Sequence, residues 1–495
     1  MIPNPDYMKI TQGEFVFGKA TVFSEEALKY KKFLPETESA GGGSVVYEKA
    51  QIEGYKLSVK EDGVMVEASG AEGFFWATMS LKYMLLTGSV LPCVEIEDKP
   101  RFAYRGFMLD TARHFFSAEF IKKIIDTLAL FKFNRLHLHL SDDQGFRFGS
   151  KKFEKLVEVG SKREGTRGDS VEHGGYYTKA ELCDIVSYAA ERHIEIIPEV
   201  DIPAHTGAIL ASYPNLSCEG KTKKVDEFFG ILGHTLCAGK EATYKFLFDL
   251  FDEIIEVFPS KYIHIGGDES DLSVWSKCPE CQKTKKEYKL KSNTELKELM
   301  LRRVECHLKD RGRKVICWND AVKCVSDDAV CQFWQGKLKE TLAFADKGGK
   351  VIVSKFSPYY LDYPHGMNSL KAVYQLNPIL DGLSSDGVKN VLGVEAPLWT
   401  EFVDSETKAL RQMFPRLLAV AERAWSSNAD YDAFMMRLPS ALNVLGKCGV
   451  EYTPVEKANP KRGAAALETL KFGLNLIDKT TLPSLIRAAK AKSKR

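Results

Sequence analysis

From about residue 104 the chain repeats one pattern. A short apolar run is followed by a longer stretch with helical spacing, and then by another run. The runs are AYRGFMLD (103–110), NRLHLHL (134–140), HIEIIPEV (193–200), KYIHIG (261–266), KVICW (314–318), VCQFW (330–334), KVIVSKF (350–356) and VLGVEA (391–396). Between them lie AEFIKKIIDTLALFK, KAELCDIVSYAAER, ATYKFLFDLFDEIIEVF, NTELKELMLRRVECHLKDRG and LKETLAFADKG, whose apolar residues recur every three to four positions. After the eighth run, SETKALRQMFPRLLAVAERAW is also helical in pattern, with a break or kink expected at Pro415. Eight buried runs alternating with helices predict a (β/α)8 TIM barrel rather than an open sheet.

Residues 1–97 read differently. EGYKLSVKEDGVMVEAS alternates apolar and polar residues around a turn, which predicts a hairpin, and AEGFFWATMSLKYMLLTG reads as a helix closed by Gly88. The expected division is a small α+β domain over 1–97, a catalytic barrel over 98–427, and C-terminal helices with a basic tail, RAAKAKSKR, over 428–495.

In such barrels the active site forms at the C-terminal ends of the strands. The residues that follow the runs are Asp142 and Asp143 after the second, Asp201 and His205 after the third, and Asp268 and Glu269 after the fourth. Trp318 and Trp334 end the fifth and sixth, Tyr359, Tyr360 and Asp362 follow the seventh, and Trp399 and Glu401 the eighth. Indole faces stack on the C–H faces of sugar rings, and carboxylates accept hydrogen bonds from hydroxyls. A sugar pocket is therefore expected. The adjacent Asp268 and Glu269 repel, so one of them is expected to keep its proton near neutral pH. His137 and His139 alternate with leucines and share one face, as polar filling of the barrel interior. Glu199 and Asp201 are given no role.

Composition narrows the field. Lys plus Arg number 69 against 67 Asp plus Glu, a formal charge of +2, which argues against a nucleic-acid partner. No run of about twenty apolar residues suggests a membrane span. The N-terminus has no basic segment followed by an apolar one, and the eleven cysteines are odd in number and scattered. A cytoplasmic location with mostly free thiols is the expectation. HExxH and phosphate-binding glycine loops are absent from the sequence, so no catalytic metal or cofactor is expected.

RGFMLDTARHF, NRLHLHLSDDQG, EVDIPAHT, HIGGDE, PLWTE and AERAW, in this order, resemble glycoside hydrolase family 20, the β-N-acetylhexosaminidases. The resemblance implies an exo-acting hydrolase of terminal β-linked N-acetylglucosamine or N-acetylgalactosamine on oligosaccharides or glycoconjugates. It implies substrate-assisted catalysis, in which the 2-acetamido oxygen replaces an enzymic nucleophile. On the same grounds Glu269 is the general acid and base, Asp268 orients the acetamido N–H, and Tyr360 binds the acetamido oxygen. Asp142 and His205 are a supporting pair that tunes the acid. Arg105 is the arginine that grips the sugar hydroxyls, Trp318, Trp334 and Trp399 are walls, and Asp362 and Glu401 bind at the non-reducing end. The chain departs from the family at Phe146, where tryptophan is frequent. A disaccharide-releasing enzyme of the same family (lacto-N-biosidase-like) and an inactive sugar-binding protein are the competing readings.

Cys218 and Cys237 lie after the third run, and Cys278 and Cys281, as CPEC, after the fourth. Neighbouring strands would bring these loops together. Free thiols, disulfides and a structural zinc all remain open for them.

Overall fold

A computed structural model describes residues 1–221 and 223–476. The eight runs form one closed parallel barrel: Tyr104–Asp110, Arg135–His139, Glu195–Glu199, Tyr262–His264, Lys314–Trp318, Val330–Phe333, Lys350–Val353 and Val391–Leu398. The register closes through pairing of the last strand with the first, Val394 opposite Arg105. Helices Ala118–Leu130, Lys179–Ala190, Glu241–Val257 and Asn293–Lys309 follow the first four strands. Three of these start on side-chain caps: Ser117 and Ser292 accept a bond from the third residue onward, and Thr178 forms a capping box with Glu181. After the fifth strand the connection is only a 3-10 turn, Asn319–Cys324. The helical stretch after the eighth strand is split at Pro415 into Glu406–Met413 and Arg416–Trp425.

The barrel interior is built from alternate strands. Tyr104, Ile197, Ile316 and Ile352, from the odd strands, pack with Val330 in one apolar cluster. His137, His264, Gln332 and Glu395 come from the even strands and bond to one another and to the residues above: His137 Nδ1 lies 2.9 Å from Glu395, and Gln332 Nε2 donates to Glu395 at 2.6 Å. Such alternation of layers is how a small barrel fills its centre. These bonds meet part of the cost of burying the four polar groups, while His264 Nε2 and Gln332 Oε1 find no partner among the described residues. The two histidines of LHLHL thus fill the interior, as their spacing suggests.

The N-terminal unit is a six-stranded sheet in the order Tyr7–Val16, Val90–Asp98, Tyr55–Lys60, Gly63–Ala68, Gly42–Lys49, Ala20–Phe23, with helix Ala71–Thr87 capped at Gly88. Its strand Val90–Asp98 ends on the buried Asp98. That carboxylate accepts bonds from Tyr55 (2.8 Å), Lys132 (2.7 Å) and Trp425 (2.8 Å), joining the sheet to the base of the barrel. C-terminal to the barrel are helices Tyr431–Lys447, Val455–Ala458 and Arg462–Leu476. The last of them comes back to the barrel mouth: Gly366 N donates to Glu468 at 2.8 Å, and Phe472 packs on Tyr363 and Phe402. The basic tail RAAKAKSKR lies outside the described residues. Among the described residues no helix is long and apolar enough to cross a membrane.

Candidate active site

The fourth strand is short, and the HIGGDES segment bends sharply as it leaves it. Gly266 has φ +66° and Gly267 φ +100°, and a Cβ on Gly266 would lie 1.7 Å from Asp201 Oδ1. Only glycine fits there. Asp201 fixes the bend by accepting the Gly267 N–H at 2.9 Å. The turn delivers Asp268 and Glu269 to the mouth, and Glu269 itself takes an uncommon φ of +38°. Such a conformation at a bulky polar residue persists only where its surroundings over-determine it, and it clusters at active sites.

A line of polar contacts runs from the barrel interior to Glu269. Glu199 accepts from the Trp318 indole N–H at 2.9 Å and contacts His264 and His139. His139 Nε2 lies 3.0 Å from Asp142, and Asp142 lies 3.3 Å from His205 Nδ1. His205 Nε2 then faces Glu269 at 3.8 Å and Asp268 at 4.0 Å. Burial alone would depress the His205 pKa, but the Asp142 carboxylate overrides it and holds the imidazole well above its ordinary value. Burial pushes the Glu269 carboxyl up to about 7, opposed by His205 and assisted by Asp268. The Glu269 side chain still keeps 32% of its surface open to the mouth. It is a protonated acid near neutrality with access to a ligand, as the adjacent-carboxylate argument requires.

Asp268 is buried, and its Oδ1 has no hydrogen-bond partner. A buried orphan acceptor is costly unless something outside the chain supplies the donor. Beside it lies an aromatic box of Trp318, Trp334, Tyr360 and Met108, edged by Trp399, Tyr363 and Phe356. Trp334 and Tyr360 stack at 6.1 Å, and Trp318 and Trp399 meet at 5.8 Å. The Trp334 indole N–H is fixed by Asp320 at 2.8 Å. Tyr359 is fully buried outside this cluster, whereas Tyr360 stands within it. Phe146 is also fully buried, away from the box.

Asp362 and Glu401 form a second carboxylate pair. Burial first, and then the charge of Glu401, raise the Asp362 pKa well above its ordinary value. Both line a cavity of about 770 Å3 shared with His114, Phe402 and Phe472.

One assignment is corrected. Arg105 does not reach the mouth. Its guanidinium bonds the carbonyls of Phe102 and Lys132 at 2.7 Å each and lies over the rings of Trp76 and Trp425. It is the second residue of its strand, at the end of the barrel opposite the carboxylates, and is locked against the N-terminal unit. The arginine in the site is Arg113, just past the end of the same strand. It bonds Asp142 at 2.7 Å and Asp110 at 3.2 Å, approaches Glu401 at 3.8 Å, and lies over the Trp399 ring. Its place after the strand was the available signal. Asp201, Asp320 and Glu199 were also missed as positioning residues, since nothing in a sequence distinguishes a carboxylate that props a loop from one that is merely buried.

The fold and the carboxylate site define a barrel glycosidase. The family model described as glycosyl hydrolase family 20, catalytic domain, matches residues 102–428, and that described as glycosyl hydrolase family 20, domain 2, matches residues 1–99. The chain belongs to glycosyl hydrolase family 20. It is 37% identical over 425 residues to a beta-hexosaminidase of Porphyromonas gingivalis, covering 81% of this chain and 54% of that one, so the chain spans about half the length of that relative. The beta-N-acetylhexosaminidase structure from Bacteroides fragilis superposes with a TM-score of 0.82 at 31% identity, covering 93% of this chain and 99% of that one. The exo beta-N-acetylglucosaminidase from Vibrio harveyi, solved with N-acetylglucosamine, gives 0.83 at 28% identity, covering 92% and 78%.

Proposed function

We propose that this chain is an exo-acting β-N-acetylhexosaminidase that removes a terminal β-linked N-acetylglucosamine or N-acetylgalactosamine from an oligosaccharide or glycoconjugate, with retention. The observation that carries the reading is the unpartnered Asp268 Oδ1 beside an aromatic box next to a protonated Glu269. The acetamido N–H of the substrate supplies the missing donor. The Tyr360 hydroxyl donates to the acetamido oxygen, which attacks the anomeric carbon as Glu269 gives its proton to the leaving oxygen. The resulting oxazolinium ion is stabilised by the Asp268 carboxylate. Water, deprotonated by Glu269, then opens it at the anomeric carbon and restores the acetamide. Two carboxylates with different protonation states divide the work, and the substrate takes the nucleophile's part. No cofactor enters this sequence.

Arg113, Asp362 and Glu401 are assigned to the hydroxyls of the terminal sugar. Carboxylates there accept from free hydroxyls, and a sugar substituted at those positions loses the donors. This favours cleavage of a single residue. One observation favours release of a disaccharide instead: the cavity lined by Asp362 and Glu401 has room beyond them. A reducing-end-tagged chitotriose decides. Early release of free N-acetylglucosamine is expected, and a disaccharide as the sole first product from the non-reducing end would overturn the exo reading. A reducing compartment such as the cytoplasm fits eleven cysteines of which none is bonded to another.

A further inference from the structure

Behind the site, the loops after the third and fourth strands carry a cluster that the hydrolytic chemistry does not use. The first loop runs from residue 200 to 240 and holds His205, Cys218 and Cys237. The second runs from 265 to 292 and holds Asp268, Glu269, Cys278 and Cys281. The loops interlock. Ser217 bridges to Leu236 within the first, the Trp275 indole N–H donates to Leu236 O at 2.9 Å, and Thr235 Oγ1 donates to Asp271 O at 3.1 Å. A Cβ on Gly239 would come within 2.3 Å of Cys281 N.

At the centre of this knot four sulfurs meet. Cys237 Sγ is 3.6 Å from Cys281 Sγ and 3.7 Å from Cys278 Sγ, and Cys218 Sγ is 3.9 Å from Cys281 Sγ. All four lie within 4.8 Å of one another, and Cys237, Cys278 and Cys281 are buried. Four thiolates about 2.3 Å from a common tetrahedral centre stand about 3.8 Å apart, edge by edge. Two disulfides would instead draw the sulfurs into separate pairs at about 2 Å, and Cys237 has two near-equidistant neighbours rather than one partner. Cys278 caps the nine-residue helix Pro279–Glu287 and Cys281 lies in its first turn. The positive end of the helix favours the thiolate form that a metal requires.

We propose that Cys218, Cys237, Cys278 and Cys281 together bind one zinc ion, which cross-links the loop bearing His205 to the loop bearing Asp268 and Glu269. An all-sulfur tetrahedral set selects zinc for a structural role, with no open position for chemistry. The ion replaces a disulfide as a brace in a reducing environment, and it holds together the two loops whose spacing sets the contact between His205 and Glu269.

The test uses the full chain, purified with reductant from zinc-supplemented cells and dialysed against metal-free buffer. Elemental analysis is expected to give about one zinc per chain, released in step with mercurial titration of four thiols. The C278S/C281S variant is expected to lose at least about nine-tenths of that zinc. Wild-type zinc far below one per chain, with all eleven thiols alkylated once the chain is unfolded without reductant, would mean free cysteines. An intact mass lower by four hydrogens would mean two disulfides, and iron in place of zinc a different centre. Each of these outcomes overturns the proposal. The wild-type zinc content, thiol titration and intact mass need no variant, so they decide the matter whether or not C278S/C281S folds and whatever the substrate.

Discussion

His205 faces Glu269 across 3.8 Å, Nε2 to Oε2, while its Nδ1 is held by Asp142 at 3.3 Å. The imidazolium therefore lowers the pKa of a carboxyl that burial raises, and Asp268 pushes the other way. Glu269 must be protonated at the first step. With its pKa at about 7, kcat/KM is expected to fall about tenfold per pH unit above that value. Replacing His205 by Asn removes a cation, so the alkaline limb should move to higher pH. Asp268→Asn removes an anion, so the limb should move to lower pH. Opposite displacements in the two pH profiles check the account, and a merely structural role for either residue would move neither limb.

Asp268→Asn also tests the orphan acceptor. The amide nearly matches the carboxylate in shape but lacks its charge for the oxazolinium ion. Loss of one preorganised electrostatic partner typically costs about 10²–10³ in kcat. That loss is expected with the Tm nearly unchanged, because no protein donor bonds Oδ1 in the native chain. Steady-state kinetics beside thermal melts measure both.

Arg113 and Arg105 make a contrasting pair. Arg113→Lys breaks the forked contacts to Asp110 and Asp142 at the mouth and should lower kcat/KM by about 10²-fold, given the weaker fit of lysine to bidentate sites. Arg105→Lys should leave kcat/KM unchanged and destabilise the fold by about 1–3 kcal/mol, since buried carbonyls lose their donors. The reverse pattern would restore Arg105 to the site.

Gly266→Ala should be severe. The new Cβ meets Asp201 Oδ1 at 1.7 Å in a backbone with φ +66°. Overpacking and left-handed strain together cost about 2–4 kcal/mol. Denaturant melts should show this, and activity should fall further than stability, because the displaced turn carries Asp268 and Glu269.

Much of this arrangement was legible in the sequence. All eight barrel strands coincide with apolar runs, because a parallel barrel buries both faces of each strand and leaves a continuous hydrophobic signature. Of the mouth residues, those at strand ends were found by position alone. Arg105 lies at the opposite end of its strand and falls outside that rule. RGFMLDTARHF contains two arginines, and only the one beyond the strand end can reach the mouth. Glu199 and Asp201 were not assignable because their task depends on contacts with residues distant in the chain, Trp318 and His139 for one, Gly267 for the other. The path of helix Arg462–Leu476 back to the mouth was likewise invisible, since its periodicity says only that it is a helix. The four cysteines were readable as neighbours from strand order, but their common centre depends on how the two loops interlock in three dimensions.

The central claim is that the substrate's own acetamido group is the nucleophile. The most direct measurement compares hydrolysis of p-nitrophenyl β-N-acetylglucosaminide with that of p-nitrophenyl β-glucoside at one pH near 6, where Glu269 is protonated. The account predicts rapid release of p-nitrophenol from the first and almost none from the second, since without the acetamido oxygen nothing attacks the anomeric carbon. Comparable rates on the two would contradict it and require an enzymic carboxylate as nucleophile.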